Sequence, residues 1–164
     1  MNKAVVLIIE LAGLLATTSL VQAAELASTP APARVAAITA RDGSGRAQRF
    51  MDSHNREFAV KYDAQQRVQS VEATSGAHIN DIVSVGYAPN GKLVGVRFRT
   101  GYTLFFDTQP DGAQVIRDSL GNALIRTGRV TQAVEATAAD QSAKLAAAVT
   151  EFEALLSALG QSPR

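Results

Sequence analysis

One pattern, written twice at an offset of 25 residues, sets what this chain can fold into. Val60, Tyr62, Arg67, Val68, Val71, Gly76 and Ile79 recur as Val85, Tyr87, Lys92, Leu93, Val96, Gly101 and Leu104. A weaker copy stands 21 residues earlier, where Asp42, Gly45-Arg46, Asn55 and Phe58 match Asp63, Gln66-Arg67, Gly76 and Ile79. A unit this short cannot bury its apolar face alone, so its copies must stack into a serial array.

The units read as strands. Nine short runs, from Arg34–Ala40 to Ala123–Thr127, are separated by turn residues such as Pro89-Asn90-Gly91 and Pro110-Asp111-Gly112. Proline pre-sets the first central residue of such a turn and glycine takes positive φ without steric cost. Two turns are expected to alternate within each unit: a loop built on Asp-x-x-Gly-Arg, and a tighter one marked by Asn55, Gly76 or Gly101. Alternation within the runs sets Val94, Val96 and Phe98 against Arg97 and Arg99, and Val83, Val85 and Tyr87 against Ser84 and Gly86. One buried face and one wet face follow.

From about Thr131 the period becomes helical. Ala138, Leu145, Phe152 and Leu159 recur every seven residues, Leu155 and Leu156 widen the stripe, and Gly160 with Pro163 ends it. The fold class expected is mainly β: an antiparallel meander of repeated hairpins over 34–129, with one long amphipathic helix over 130–160. The helix either lies across the open face of the sheet or projects and pairs with another chain.

Ahead of the repeats, residues 1–23 read as a secretory signal: Lys3, an apolar run from Ala4 to Ala16, and a Val21-Gln22-Ala23 cleavage site. Glu10 interrupts that run, and it weighs harder against the alternative of an uncleaved membrane anchor, which would keep a carboxylate in lipid at a cost of about 2–3 kcal/mol. Residues 24–33, rich in Ala and Pro, read as a flexible tether. The chain has no cysteine, so packing alone must hold the fold in an oxidising compartment. An exported, periplasmic or secreted protein is expected.

The stretch Tyr62-Asp63-Ala64-Gln65-Gln66-Arg67-Val68-Gln69-Ser70-Val71 resembles the YD repeat of rearrangement-hotspot (RHS) proteins, usually Tyr-Asp, two variable residues, Gly-Arg-Leu and a valine three residues on. Gln66 replaces the glycine here. Tyr87-Ala88-Pro89-Asn90-Gly91-Lys92-Leu93 keeps the glycine without the aspartate, and Asp42-Gly43-Ser44-Gly45-Arg46 has Arg41 in place of tyrosine. Phe106-Asp107 opens a degenerate fourth unit. The resemblance covers Arg41 to Leu124 and implies hairpin architecture. In large members many hairpins coil into a shell around a toxin domain, which three or four units cannot do.

No catalytic set stands out. There is no cysteine nucleophile, and Gly43-Ser44-Gly45 reads as turn chemistry. His54 and His78 fall in equivalent turns near Asp52 and Asp81, which raises a metal or pH-switch reading against the simpler one of surface residues. Asp42, Asp63 and Asp107 suggest a calcium ladder or, more simply, carboxylates serving their own turns. No cofactor and no metal site are expected.

Charge is uneven. From Arg34 to Arg129 there are thirteen basic and nine acidic residues, and from Val130 to Gly160 only Lys144 against Glu135, Asp140, Glu151 and Glu153. Neither block has the density of a nucleic-acid-binding stripe. Arg97 and Arg99, with Lys92 and Arg117 near them, form the candidate binding face, suited to an acidic protein or anionic envelope polymer. Leu145, Phe152, Leu155 and Leu159 form a candidate helix interface through which copies could assemble. The expectation is a non-catalytic binding module of the bacterial cell envelope, the alternatives being a structural protein that oligomerises through the helix and an enzyme acting on envelope polymer.

Overall fold

The computed structural model describes residues 29–161. The expected signal over 1–23, and 24–28 of the expected tether, lie outside them. Ten strands run in chain order across one antiparallel sheet: β1 (Val35–Arg41), β2 (Ala47–Asp52), β3 (Glu57–Tyr62), β4 (Val68–Ala73), β5 (Ile82–Tyr87), β6 (Leu93–Phe98), β7 (Thr103–Thr108), β8 (Gln114–Asp118), β9 (Ala123–Thr127) and β10 (Val130–Ala133). One helix, α1 (Ala139–Ala158), follows. The expected meander with a C-terminal helix is the fold.

One turn geometry serves seven of the connections, rather than two in alternation. At each, the first residue's N–H donates to the carbonyl four residues on, and the fourth residue, held at positive φ, donates back to the first carbonyl. These are three-residue hairpin loops closed by a left-handed bulge residue. Glycine takes that position at Gly45, Gly91, Gly101, Gly112 and Gly121, but Asn55 and Gln66 take it elsewhere. Gln66, at φ 64°, carries a Cβ in a region that costs a non-glycine residue about 1–2 kcal/mol.

The 25-residue offset has a structural cause. Gly45 to Gln66 and Gly91 to Gly112 are each 21 residues, whereas Gln66 to Gly91 spans 25. The difference is a longer connection over residues 74–81 between β4 and β5. Asp81 closes it, accepting from the N–H of Ala73 and of His78 at 2.9 Å each.

Alternation is broken where the units start. Tyr62 pairs with Val68 but Lys61 with Ser70, and Tyr87 pairs with Leu93 but Gly86 with Gly95, so Gln69 and Val94 are extra, bulged residues. Val94 is therefore 42% exposed, instead of sharing the core face with Val96 and Phe98. The bulge brings Leu93 and Val96, and likewise Val68 and Val71, to the same buried face.

That face packs on α1. Phe50, Phe58, Phe98, Leu104 and Ile116 from the sheet, and Leu145, Val149, Phe152 and Leu155 from the helix, are fully enclosed. Phe50 stacks on Phe58 at 5.2 Å, and Phe106 meets Phe152 at 6.4 Å. Ion pairs from Arg126 to Glu153 and from Arg34 to Glu151 fasten the helix to the last part of the sheet and to the N-terminal segment.

Two boundaries differ from expectation. The helix has 20 residues, about 30 Å, because Val130–Ala133 turns back at Thr127-Gly128-Arg129 and adds a tenth strand to β9. And where the tether is described, Pro30, Pro32 and Ala33 are buried. Two prolines have little conformational freedom to lose on docking, and the apolar rings exclude water there.

Candidate functional site

Much of the chemistry that the sequence offers is absorbed by the turns. Asp52 Oδ1 accepts from the N–H of His54 and Arg56, and Oδ2 from Arg56 Nε. Asp42 and Asp63 repeat this with Arg46 and Arg67. Burial pushes the Asp52 and Asp63 carboxyls up, but the backbone N–H groups and guanidinium facing each outweigh it and hold both below the usual range. Asp42 is held well below it, chiefly by Ser44 and Arg46.

Two of these arginines, Arg46 and Arg67, then build the next rung, while Arg56 lies over Phe58. Arg46 lies 4.9 Å over the Tyr62 ring and Arg67 4.3 Å over Tyr87. Tyr62 donates its hydroxyl to the Ala47 carbonyl, and Tyr87 to that of Val68. Burial pushes the Tyr87 hydroxyl up to about 12. The spacing Tyr-Asp-x-x-x-Arg is thus a stacking device: the aspartate fixes the arginine, and the arginine covers the following tyrosine.

The histidines do not converge. His54 is exposed, 3.8 Å from an Asp52 oxygen already bound by Arg56. His78 meets the Arg56 guanidinium and stands edge-on to Phe58. No group of three His, Cys, Asp or Glu that could hold a metal occurs among the described residues. A cleft of about 130 Å³, lined by Pro32, Arg34, His54, Arg56, Asn80 and Glu151, lies where the N-terminal segment crosses these turns.

The sheet face away from α1 is open, and its two halves differ. Across β2–β4, charges are paired on the face itself: Arg49 with Glu57 at 3.7 Å, and Lys61 with Glu72 at 3.5 Å. Arg99 belongs with this half. Its Nε is 2.8 Å from Asp81, and its outer nitrogen 2.7 Å from Glu72. As a free binding residue Arg99 must be withdrawn, because the long β4–β5 connection brings a buried carboxylate under it.

Across β6–β9 the face is different. Phe105, 49% exposed, sits between Gly95 and Arg117 on the neighbouring strands. Arg97, opposite Thr103, is its diagonal neighbour. Asp107, Val115 and Ile125 form the next row, with the Asp107 carboxylate not within ion-pair distance of either arginine. Arg97 and Arg117 have no carboxylate within ion-pair distance among the described residues, although the strand arginines Arg49 and Arg126 both do. Two strand spacings and a two-residue offset separate Arg97 from Arg117 by about 12 Å. Lys92 does not join them: it lies in the opposite turn, five residues along from Arg97, or about 17 Å.

Leu145, Phe152, Leu155 and Leu159, expected as a possible interface between copies, are buried within the domain. The residues missed are Phe105, Val115 and Ile125. Phe105 had a readable signal, since in the run Leu104-Phe105-Phe106 an alternating strand must turn one member to the wet face. No helix among the described residues is long and apolar enough to cross a membrane. Comparison of the chain with family models, with curated proteins and with solved structures finds no match.

Proposed function

We propose that this protein is an exported, non-catalytic binding module of the bacterial cell envelope that engages an acidic protein surface through the open face of β6–β9. One observation carries the reading: Arg97 and Arg117 flank an exposed Phe105 without carboxylate partners among the described residues. Aromatic and arginine side chains are the types enriched at protein interfaces and at their strongest points. Such a surface lowers its free energy when a partner supplies carboxylates and covers the ring. Export rests on the apolar leader over 1–23, and the Tyr-Asp-Arg rungs support reading the units as YD-type hairpins. Assembly through α1 loses its support, because the stripe it needs is covered by the sheet.

The test is capture from an envelope extract by immobilised protein. The wild type should retain discrete acidic proteins, and Arg97→Glu with Arg117→Glu should lose them without a change in melting temperature. Equal capture by that variant would refute the reading. Retained material that resists protease and is carbohydrate would replace the protein partner with an anionic polymer.

A further inference from the structure

The two edges of the sheet are built differently. β1 meets β2 through three register shifts, irregularities that hinder a further strand. β10 has none: its four residues pair with β9 in unbroken register, all are exposed, and none is charged. An uninterrupted, uncharged edge is a template for another strand.

Its sequence specifies which strand. Arg129-Val130-Thr131-Gln132-Ala133-Val134-Glu135 is nearly palindromic about Gln132. Placed antiparallel against itself, Val130 meets Val134 of the other copy and Thr131 meets Ala133, while Arg129, in the β9–β10 turn, comes to the same end of the pair as Glu135 of the other copy, in the turn after β10. The ladder permits this register. Val134 donates its N–H to the Ala123 carbonyl, and alternate residues of an antiparallel strand bond to the same neighbour. Val130 and Gln132 therefore also turn toward β9, leaving the N–H and C=O of Thr131 and Ala133 directed to the free edge. Pairing Thr131 with Ala133 of the other copy matches outward groups with outward groups.

The side chains agree with the backbone. Gln132 pairs with the exposed Ile125, and Ala133 with the buried Leu124, so Val130, Gln132 and Val134 stand on the open face. Val130 is 57% exposed. Arg129 and Glu135 stand at the two ends of the segment, and neither has an ion-pair partner among the described residues.

We infer that β10 joins two copies of this protein edge to edge, as an antiparallel pair centred on Gln132 that continues the sheet across a two-fold axis. The axis stands perpendicular to the sheet, so both open faces point the same way and the dimer presents Phe105, Arg97 and Arg117 twice on one side. The inference does not depend on what those residues bind.

Charge reversal tests it by sedimentation velocity on the purified protein. Arg129→Glu sets a carboxylate against Glu135 of the other copy, Glu135→Arg sets one guanidinium against another, and each should dimerise at least about tenfold more weakly than wild type. An equimolar mixture of the two variants should recover a dimer containing one of each. Thr131→Pro, which removes an outward N–H and leaves the β9 ladder intact, should abolish dimerisation with the melting temperature preserved. A wild type that stays monomeric up to about 1 mM overturns the inference. So does a dimer that neither charge reversal weakens, a result that holds even if Thr131→Pro does not fold.

Discussion

The two halves of the open face lie on one sheet, over one core, and answer the same problem in opposite ways. Across β2–β4, each cation that rises from the sheet meets a carboxylate from the next strand, Arg49 with Glu57 and Lys61 with Glu72, and Arg99, just past β6, reaches across β5 to the same Glu72. Across β6–β9, two arginines rise beside an uncovered phenylalanine, with Asp107, Val115 and Ile125 in the adjacent row and no ion pair made on the face among the described residues. Surface ion pairs are individually worth only about 0–1 kcal/mol, so the first half is not made stable by its pairs. They make it self-sufficient. A partner approaching it would have to break protein–protein contacts, whereas one approaching the second half displaces only water.

The contrast rests on a core common to both halves. Phe152, which meets Phe106 from the helix, should unfold them together: Phe152→Ala is expected to cost about 3–5 kcal/mol in a urea titration, with a single transition. Two separate transitions would show that the halves are independent units. The turns come next. Asp52→Asn removes the buried carboxylate that holds the half-exposed Arg56 in the first half, at about 1–3 kcal/mol by the same titration. A loss below about 0.5 kcal/mol would mean that the turn's backbone bonds suffice.

Acid should act through the same groups. Asp52 and Asp63 are held below the ordinary carboxylate range in the fold, so their contribution is fully present above about pH 4 and is lost as pH falls through their folded values. Thermal melts between pH 5 and pH 2 should fall steeply for the wild type and less for Asp52→Asn. Parallel curves would remove Asp52 from the acid response.

Smaller effects sharpen the comparison on the surface. Gln66→Gly should gain about 0.5–1 kcal/mol by relieving a left-handed backbone, whereas the second-half turns already have glycine there and offer no such gain. Arg97→Glu with Arg117→Glu should move stability by less than about 0.5 kcal/mol, because no carboxylate among the described residues loses a partner. A larger loss would show that these arginines serve the fold.

Much of the architecture was legible because it is local. Aspartate, proline, asparagine and glycine at fixed offsets write most of the turns within five residues, and the seven-residue recurrence of Leu145, Phe152 and Leu159 writes the helix. The tenth strand escaped, since Val130-Thr131-Gln132-Ala133 is too short to separate from the helical text after it except by the Gly128 turn. The candidate site was half legible. Arg97 and Arg117 carry charge at alternating positions, but nothing in the sequence puts Arg117 beside Phe105 and Lys92 far away.

What the chain's own text determined is the serial order: the same hairpin repeated, each strand beside its predecessor, then a helix with one apolar stripe. Those follow from φ preferences and periodicity, which act between near neighbours. Burial and partnership were decided by the folded sheet. A single bulged residue turned Val94 outward, an inserted connection carried Asp81 to Arg99, and the helix took the core face, leaving the other to water. Each of those outcomes depends on register between strands, and register is fixed only when the long-range pairs form.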